Sequence, residues 1–358
     1  MKLYIPTHIY CEKNAVENHQ TELTALGTKA MIVTGKHSSR KNGSLAQIEK
    51  VLDKGNVPYV IFDDIEENPS IETVMEARKI GVDEKVDFVI GVGGGSPMDA
   101  SKAIALMVAN PDQDENILYE AKVLPYLPLA EIPTTAGTGS EVTPYSILTI
   151  HAKKTKQSIS HKIYPTLALT DYEYLKTVNR NCLVNTAVDT LAHLVESFLN
   201  TSSNTLNRAY SAQGLWVWGK VKEHLLKDTL QEEDYPLLTE SSTLGGMSIA
   251  HTGTSLPHGL SYAVTYEMGL PHGKAVGIFL GGFVRIYKNQ EDVRIVMELL
   301  GFSKVQDFVN YIYELIGKVE LSEELIQRDA DEILKNQAKL ANYPFELTRK
   351  ELIQVLRQ

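Results

Sequence analysis

The stretch DFVIGVGGGSPMDASKAIALMVA, residues 87–109, decides the fold of this chain. It places an apolar β-branched run, three consecutive glycines and an apolar helix in series. Glycines let backbone N–H groups approach an anion closely, and the N-terminus of the following helix adds a favourable dipole. Pro97 suits the first helical turn, where no N–H is needed. The negative charge of Asp99 is favourable near the same helix N-terminus. The stretch predicts a phosphate-binding strand–loop–helix unit, with a plain glycine turn as the alternative.

Short β-branched runs alternate with helical patterns on both sides of this unit. Four runs are predicted to be strands, namely AMIVTG (30–35), YVIFDD (59–64), DFVIGVGGG (87–95) and LPLAEIPTT (127–135). The intervening segments LAQIEKVLDKG and IETVMEARKIG have helical spacing, and each is predicted to end at its glycine. YSILTI and KKTKQSIS are predicted to form a hairpin that leads into ALTD. This alternation is typical of βαβ units around a mostly parallel sheet.

The second half of the chain has a different pattern. After about Tyr174 the strand signals fade, and long amphipathic segments follow at 204–230, 291–316 and 321–338. We therefore predict an α/β nucleotide-binding domain at 1–176 and an all-helical domain at 177–358. No Pro-, Gly- or Ser-rich linker separates the halves, which predicts a tight junction with a cleft between them.

Composition limits the possible partners. The chain has 358 residues, 43% hydrophobic and 22% charged, with a formal net charge of −10. An acidic balance argues against nucleic-acid or anionic-membrane partners, which require a basic face, and favours small molecules. Two cysteines, Cys11 and Cys182, provide neither a disulfide framework nor a thiolate metal cluster. Because we find no signal peptide and no apolar run of the ~20 residues that a membrane span needs, we expect a cytoplasmic protein.

Candidate metal ligands occur in two clusters. VNTAVDTLAHLVESFL, residues 184–199, places Asp189 and His193 one helical turn apart and on one face. A carboxylate oxygen with a neutral imidazole nitrogen suits Zn²⁺ or Fe²⁺. His258 and His272 each stand in an LPHG sequence, fourteen residues apart. The four residues together predict a divalent metal site, whereas one pair alone is as often a surface pair.

Two further loops are candidates for cofactor binding. EIPTTAGTGSEVTPYS continues from the last predicted strand and offers hydroxyls and amides where ligands bind in open α/β sheets. The first predicted strand ends at Gly35, where an NAD-binding fold often carries an acid for the ribose 2′-hydroxyl. Donors and cations follow instead, in the order Lys36, His37, Ser38, Ser39, Arg40 and Lys41. This run favours a 2′-phosphate and hence NADP(H), with a solvated basic loop as the alternative.

Four motifs, GVGGGSPMDASKAIAL, EIPTTAGTGSEVTPYSILT, NTAVDTLAHLVESFL and TGTSLPHGLSYAVTYEMGLPHGKA, resemble the iron-containing (group III) alcohol dehydrogenases over nearly the whole chain. VTGKHSSRKNGS further resembles a short NADP-using branch, similar to the 1,3-propanediol- and butanol-dehydrogenase-like members. The resemblance implies a dehydroquinate-synthase-like architecture, a homodimer, and hydride transfer between NADP(H) and a short-chain primary alcohol or aldehyde, or a diol. The family name implies Fe²⁺, although the ligand types also accept Zn²⁺.

The resemblance also implies roles for individual residues. The metal ligands are Asp189, His193, His258 and His272. The cofactor-binding candidates come from the loops described above and from the lysine that is expected to reach a ribose hydroxyl. They are Gly35, Ser38, Ser39, Lys41, Gly93, Gly94, Gly95, Ser96, Asp99, Thr134, Thr135, Thr138 and Lys156. Many members carry a further histidine where this chain has Tyr262, near the nicotinamide and the proton path. Either Tyr262 or a water takes that part here, or Tyr262 only forms a wall of the pocket.

Other interpretations stay open at this point. A glycerol-dehydrogenase-like polyol dehydrogenase would carry a zinc site with three protein ligands, whereas His193 supplies a fourth ligand here. A dehydroquinate-synthase-like lyase on the same scaffold needs cations near the metal ligands, where the sequence offers Lys274 but no basic cluster. A binding protein without catalysis would require one of the two sites to be degraded, and the sequence keeps both.

Overall fold

The computed structural model describes residues 3–153 and 155–357. They form two compact units. The first, here called the sheet unit, contains residues 5–135 and 139–178, and the second, the helical unit, contains residues 3–4, 136–138 and 179–357. The fold is therefore the predicted α/β part followed by a helical part.

Six parallel strands build the sheet unit. The strands of the chain are β1 (His8–Cys11), β2 (Ala30–Thr34), β3 (Tyr59–Phe62), β4 (Phe88–Gly93), β5 (Leu129–Pro133), β6 (Ile147–Ile150), β7 (Thr155–Ser158) and β8 (Leu167–Thr170). Their order in the sheet is β1-β8-β5-β4-β2-β3, and β6 and β7 form a separate antiparallel hairpin. The four predicted strands, the hairpin and the mostly parallel sheet are confirmed. The edge strand β1 was not predicted, because HIYC is short and half exposed and shows no clear alternation.

Helices cover both faces of this sheet. They are α1 (Ala15–Asn18), α2 (Gln20–Thr24), α3 (Ser38–Lys41), α4 (Ser44–Lys54), α5 (Ile71–Asp83) and α6 (Gly95–Ala109). One apolar core contains side chains of α5 and α6, and a second contains side chains of α1 and α4. The predicted helix end at Gly81 was wrong, because α5 continues to Asp83. Gly81 lies inside the helix, where a Cβ would be 2.7 Å from Val108 Cγ2, so the glycine allows a close approach to that side chain.

Ten helices are described in the helical unit between residues 179 and 357. They are α7 (Arg180–Phe198), α8 (Arg208–Lys227), α9 (Asp234–Thr252), α10 (Leu256–Met268), α11 (His272–Ile286), α12 (Gln290–Leu300), α13 (Val305–Ile316), α14 (Glu323–Lys335), α15 (Gln337–Leu340) and α16 (Arg349–Leu356). The amphipathic segment 291–316 is two helices, because Gly301 adopts φ +74° and ends α12. Within the described residues, no helix combines the length and apolar character that crossing a membrane requires.

Asp329 on α14 is a buried carboxylic acid with an incomplete set of hydrogen bonds. Its side chain is 3% exposed, and its Oδ2 atom has no hydrogen-bond partner among the described residues. Burial is the main cause that raises the pKa of Asp329, to about 7, with a further increase from Glu332. The native state therefore retains a proton that the unfolded chain loses near pH 4.

We expect the contribution of Asp329 to stability to fall as pH rises from about 4 to 7, because its native carboxyl group binds a proton in this window that the unfolded chain has lost. Asp329→Asn should stabilise the protein more at pH 8 than at pH 5, by about 3 kcal/mol, measured by urea unfolding at both pH values. Asp331→Asn is the matched control, since Asp331 on the same helix is exposed and paired with Arg349, which lowers its pKa. A gain from Asp329→Asn that is equal at both pH values would contradict the expectation.

Candidate active site

Helix α7 carries two of the predicted metal ligands on a buried face. The helix begins after Asn179, whose side chain accepts a hydrogen bond from the Cys182 N–H. Asp189 and His193 are both about 95% buried, and the indole N–H of Trp218 donates to the carbonyl of Ala187 at 2.8 Å. The two polar side chains therefore lie in the interior of the helical unit rather than at its surface.

Three imidazoles converge on one oxygen of Asp189. His193 lies one turn further along α7, His258 is the third residue of α10, and His272 is the first residue of α11. Their Nε2 atoms lie 3.8, 3.3 and 3.7 Å from Asp189 Oδ1, respectively. Ligand atoms of Asp189, His258 and His272 all lie within 4.8 Å of one another. The Nε2 atom of His193 is not part of this group but lies 3.8 Å from the same oxygen of Asp189. The structure thus brings all four predicted ligands together.

The chemistry of this donor set fits a divalent cation. Asp189 Oδ1 and His258 Nε2 are buried and make no hydrogen bond within residues 3–153 and 155–357, although they lie only 3.3 Å apart. Leaving a buried polar atom unsatisfied costs about 1–3 kcal/mol, so a cation between these atoms would remove that cost. Three nitrogens and one oxygen without a thiolate suit Fe²⁺ or Zn²⁺.

The charges of the site are strongly coupled. Burial alone would raise the pKa of Asp189, but the imidazoles of His193, His272 and His258 hold it well below its usual range. Burial lowers the pKa of His193, and Asp189 offsets only part of that effect. The pKa of His258 is raised to about 10, because Glu196 and Asp189 outweigh the effect of burial. A positive charge is therefore stabilised at this point, and a divalent cation can replace a proton there.

The two LPHG sequences differ in what surrounds their glycines. A Cβ on Gly273, next to His272, would lie 1.8 Å from the backbone oxygen of Asn185 on α7. A Cβ on Gly259, next to His258, would lie 3.2 Å from the terminal methyl group of Ile333. Only the second LPHG sequence uses its glycine to bring a helix start against the backbone of α7.

The glycine loop of the sheet unit has the geometry expected of an anion site. β4 ends at Gly93, whose φ of +146° requires glycine. Gly94 is the N-cap of α6 and supplies no side-chain cap, and Gly95 is the first helical residue. Ser96 follows in the first turn. The backbone N–H groups at this helix start are the kind of donors that bind a phosphate.

Asn68, which lies outside the sequence motifs described above, links two of the candidate residues. Its N–H donates to Ser96 Oγ at 3.1 Å, and its Oδ1 accepts from Lys156 Nζ at 2.6 Å. Its carbonyl also accepts from Thr149 Oγ1 at 2.8 Å, and its φ is +60°. The Asn-Pro pair at 68–69 is a turn signal that marks this position. Asn68 thereby brings Ser96 and Lys156 to one place in the sheet unit.

Asp99 connects α6 to the second polar loop. Its two carboxylate oxygens accept from Ser140 Oγ at 2.7 Å and from the Ile147 N–H at 2.9 Å. Burial raises the pKa of Asp99, and the nearby Lys102 opposes that increase.

Thr134 is buried and donates its N–H to the Gly93 carbonyl at 2.8 Å. Thr135 lies next to the glycine loop, since a Cβ on Gly94 would be 3.4 Å from its Oγ1. Thr138 belongs to residues 136–138, which are part of the helical unit.

The basic segment after β2 has acidic neighbours. Lys36 pairs with Asp64, and Arg40 pairs with Asp63 at 2.7 Å. Ser39 is buried and accepts a hydrogen bond from Thr34 at 2.8 Å, whereas Ser38 and Lys41 are exposed. A surface hollow of about 480 Å³ lies at this end, lined by Lys36, His37, Asp64, Ile65, Glu66, Thr73 and Glu76. Because Asp63 and Asp64 follow β3 rather than β2, the sequence did not reveal their pairing.

Tyr262 and His251 are two further polar residues of the helical unit. Tyr262 is 42% exposed, and the ammonium group of Lys339 lies 5.5 Å from its ring centre. His251 uses both ring nitrogens within the unit, since Nε2 accepts from the Tyr4 N–H at 3.0 Å and Nδ1 donates to the Met247 carbonyl at 2.7 Å. His251 is therefore a packed structural histidine.

Known proteins resemble both halves of the chain. The iron-containing alcohol dehydrogenase family model matches residues 6–172, and the model of the C-terminal part of the Fe-containing alcohol dehydrogenase family matches residues 183–357. The crystal structure of an iron-containing alcohol dehydrogenase from Thermotoga maritima is 36% identical, covers 99% of this chain and 98% of that chain, and superposes with a TM-score of 0.91.

Curated relatives differ in the cofactor that their names give. The NADPH-dependent butanol dehydrogenase of Clostridium saccharobutylicum is 26% identical over 286 residues, covering 78% of this chain and 72% of that protein. The NAD-dependent methanol dehydrogenase of Bacillus methanolicus is 27% identical over 275 residues, covering 75% and 71%, respectively. The chain spans 35% and 58% of two other, longer relatives.

Proposed function

We propose, since this chain belongs to the iron-containing alcohol dehydrogenase family, that it transfers hydride between NADP(H) and a short-chain primary alcohol or aldehyde, or a diol. The observation that carries the proposal is the convergence of three imidazoles on one buried oxygen of Asp189, at 3.3–3.8 Å. Both matching family models are those of alcohol dehydrogenases, which gives the lyase and the three-ligand zinc interpretations no support.

Asp189, His193, His258 and His272 would hold the cation, which we propose to be Fe²⁺ with Zn²⁺ as the other possibility. When bound, the cation acts as a Lewis acid that lowers the pKa of an alcohol and polarises a carbonyl group. Asp189 offsets one unit of its charge, and neutral imidazoles leave the site net positive. This residual charge suits the negative charge that develops on the substrate oxygen.

The glycine loop and its neighbours would hold the cofactor. The backbone amides at Gly94 and Gly95 and the hydroxyl of Ser96 would bind the pyrophosphate, while Lys156, held by Asn68, would reach a ribose hydroxyl. Asp99 and Lys102 hold the second polar loop through Ser140. We propose these contacts for a homodimeric, cytoplasmic enzyme, in line with the family resemblance.

One experiment tests the function directly. The protein would be purified without oxygen, its metal content measured, and NADPH oxidation followed with a panel of short aldehydes. We expect about one Fe²⁺ or Zn²⁺ per chain and turnover with at least one aldehyde. Metal-free protein that reduces aldehydes at the same rate, or metal-loaded protein that reduces none of them, would overturn the proposal.

The cofactor preference is a separate prediction. We expect kcat/KM to be about tenfold higher with NADPH than with NADH, because the ion pairs of Lys36 and Arg40 are exposed to solvent, contribute little and can be exchanged for a 2′-phosphate. Gly35→Asp should shift the preference toward NADH by repelling that phosphate. Initial rates with both cofactors measure the ratio.

Gly35→Ala is the control for crowding, because a Cβ at this position would lie 3.2 Å from the Ile65 carbonyl oxygen. It should affect both cofactors equally. Equal or reversed kcat/KM values in the unmodified protein would reject the NADP(H) preference.

A further inference from the structure

Glu196 is a fully buried carboxylate on α7 that is not among the four proposed metal ligands. It lies three residues after His193, yet its carboxylate accepts hydrogen bonds from the start of α10. Its Oε2 accepts from the Ser255 N–H, and its Oε1 accepts from the His258 N–H at 3.2 Å and from His258 Nδ1 at 2.7 Å. One acceptor-only group thus receives three donors.

The first consequence concerns the helix end. Ser255 is the N-cap of α10, but its side chain makes no capping hydrogen bond. Because the first N–H groups of a helix have no partner within the helix, Glu196 supplies from α7 what a capping side chain would supply locally. The start of α10, and His258 with it, is therefore tied to the helix that carries Asp189.

The second consequence concerns the imidazole of His258. A carboxylate only accepts hydrogen bonds, so Nδ1 carries the hydrogen that it donates to Glu196. In the neutral ring this leaves Nε2 with a lone pair, and Nε2 is the atom that lies 3.3 Å from Asp189 Oδ1. The stacking of the His193 and His258 rings, at 4.7 Å between centres and 15° between planes, limits rotation of the ring.

We propose that Glu196 is a positioning residue of the metal site, which holds His258 in the tautomer and orientation whose Nε2 binds the cation. Glutamine has nearly the same shape but presents an NH₂ group to one of the three donors, so it cannot accept all of these bonds. Loss of such a partner of a ligating histidine typically lowers metal affinity by about 10–100-fold. The proposal rests on the metal site of the proposed function.

The test compares Zn²⁺ and Co²⁺ binding in unmodified protein, Glu196→Gln and Glu196→Asp. Competition with a chelator gives the dissociation constants, and the visible absorption of the Co²⁺-loaded protein reports the ligand geometry. We expect Glu196→Gln to bind Zn²⁺ about 10–100-fold more weakly and to shift the Co²⁺ bands. Glu196→Asp, which keeps an acceptor-only charge, should be affected less and provides the comparison if Glu196→Gln fails to fold.

Trp218→Phe is the matched control for a purely structural role. It removes the 2.8 Å bond to the Ala187 carbonyl of α7 without touching His258. It should lower the thermal stability of the metal-free protein while leaving the Zn²⁺ dissociation constant and the Co²⁺ bands unchanged.

The possible failures are distinguishable. If unmodified protein binds neither Zn²⁺ nor Co²⁺, the proposed function fails together with this inference. If unmodified protein binds them and folded Glu196→Gln binds them equally well with the same Co²⁺ spectrum, only the positioning role of Glu196 is overturned.

Discussion

Asp189→Ala and His258→Ala should each lose the bound metal and about a thousandfold in kcat/KM, while NADP(H) binding stays largely intact. A thousandfold corresponds to about 4 kcal/mol, a reasonable size for the loss of a Lewis acid at the reacting oxygen. Asp189→Ala should have the larger effect, because it removes the one oxygen on which all three imidazoles converge. Cofactor binding should survive, since the glycine-loop residues belong to the sheet unit and the metal ligands to the helical unit.

Metal content, aldehyde reduction and NADPH fluorescence titration measure the three quantities in the same preparation. His251→Ala is the matched control, because His251 lies in the same unit with both ring nitrogens bonded to the backbone. It should keep one metal per chain and most of the activity. A folded Asp189→Ala protein that retains stoichiometric metal would refute the ligand assignment, and unfolding of both variants would instead assign the two residues a structural role.

Local patterns were sufficient for most of the fold. The β-branched run before the glycines at 93–95 and the apolar helix after them gave β4 and α6, because both elements are determined by neighbouring residues. The single segment predicted at 291–316 shows where such patterns fail. Its apolar periodicity continues across Gly301, although the backbone there turns into a left-handed conformation and begins a new helix.

The candidate site was predictable where side-chain type alone indicates chemistry. The spacing of Asp189 and His193 places them on one helix face, and the family resemblance implies that His258 and His272 join them. Glu196 gave no such signal, because its role depends on contacts with residues about sixty positions later in the chain. For Asn68 the Asn-Pro pair marks a turn but not its three partners, which come from different segments of the sheet unit.

Gly273→Ala should disrupt the metal site without changing any ligand. A Cβ at this position would lie 1.8 Å from the Asn185 oxygen and 2.6 Å from its carbonyl carbon, and neither backbone atom can move aside cheaply. The first turn of α11 must therefore shift away from α7, taking the His272 Nε2 atom from its place 3.7 Å from Asp189 Oδ1. We expect a loss of about 3 kcal/mol in the free energy of unfolding and at least about tenfold weaker metal binding.

Gly259→Ala separates this effect from a general intolerance of alanine after the histidine. It makes the same substitution in the other LPHG sequence, where the added Cβ would meet the flexible Cδ1 of Ile333 at 3.2 Å. Because that methyl group can rotate away, we expect a cost of about 1 kcal/mol or less and metal binding within about twofold of the unmodified protein. Urea unfolding of metal-free protein and chelator competition measure both quantities. Equal losses in the two variants would mean that the contact between Gly273 and α7 does not position His272, and that the repeated motif acts through its histidines alone.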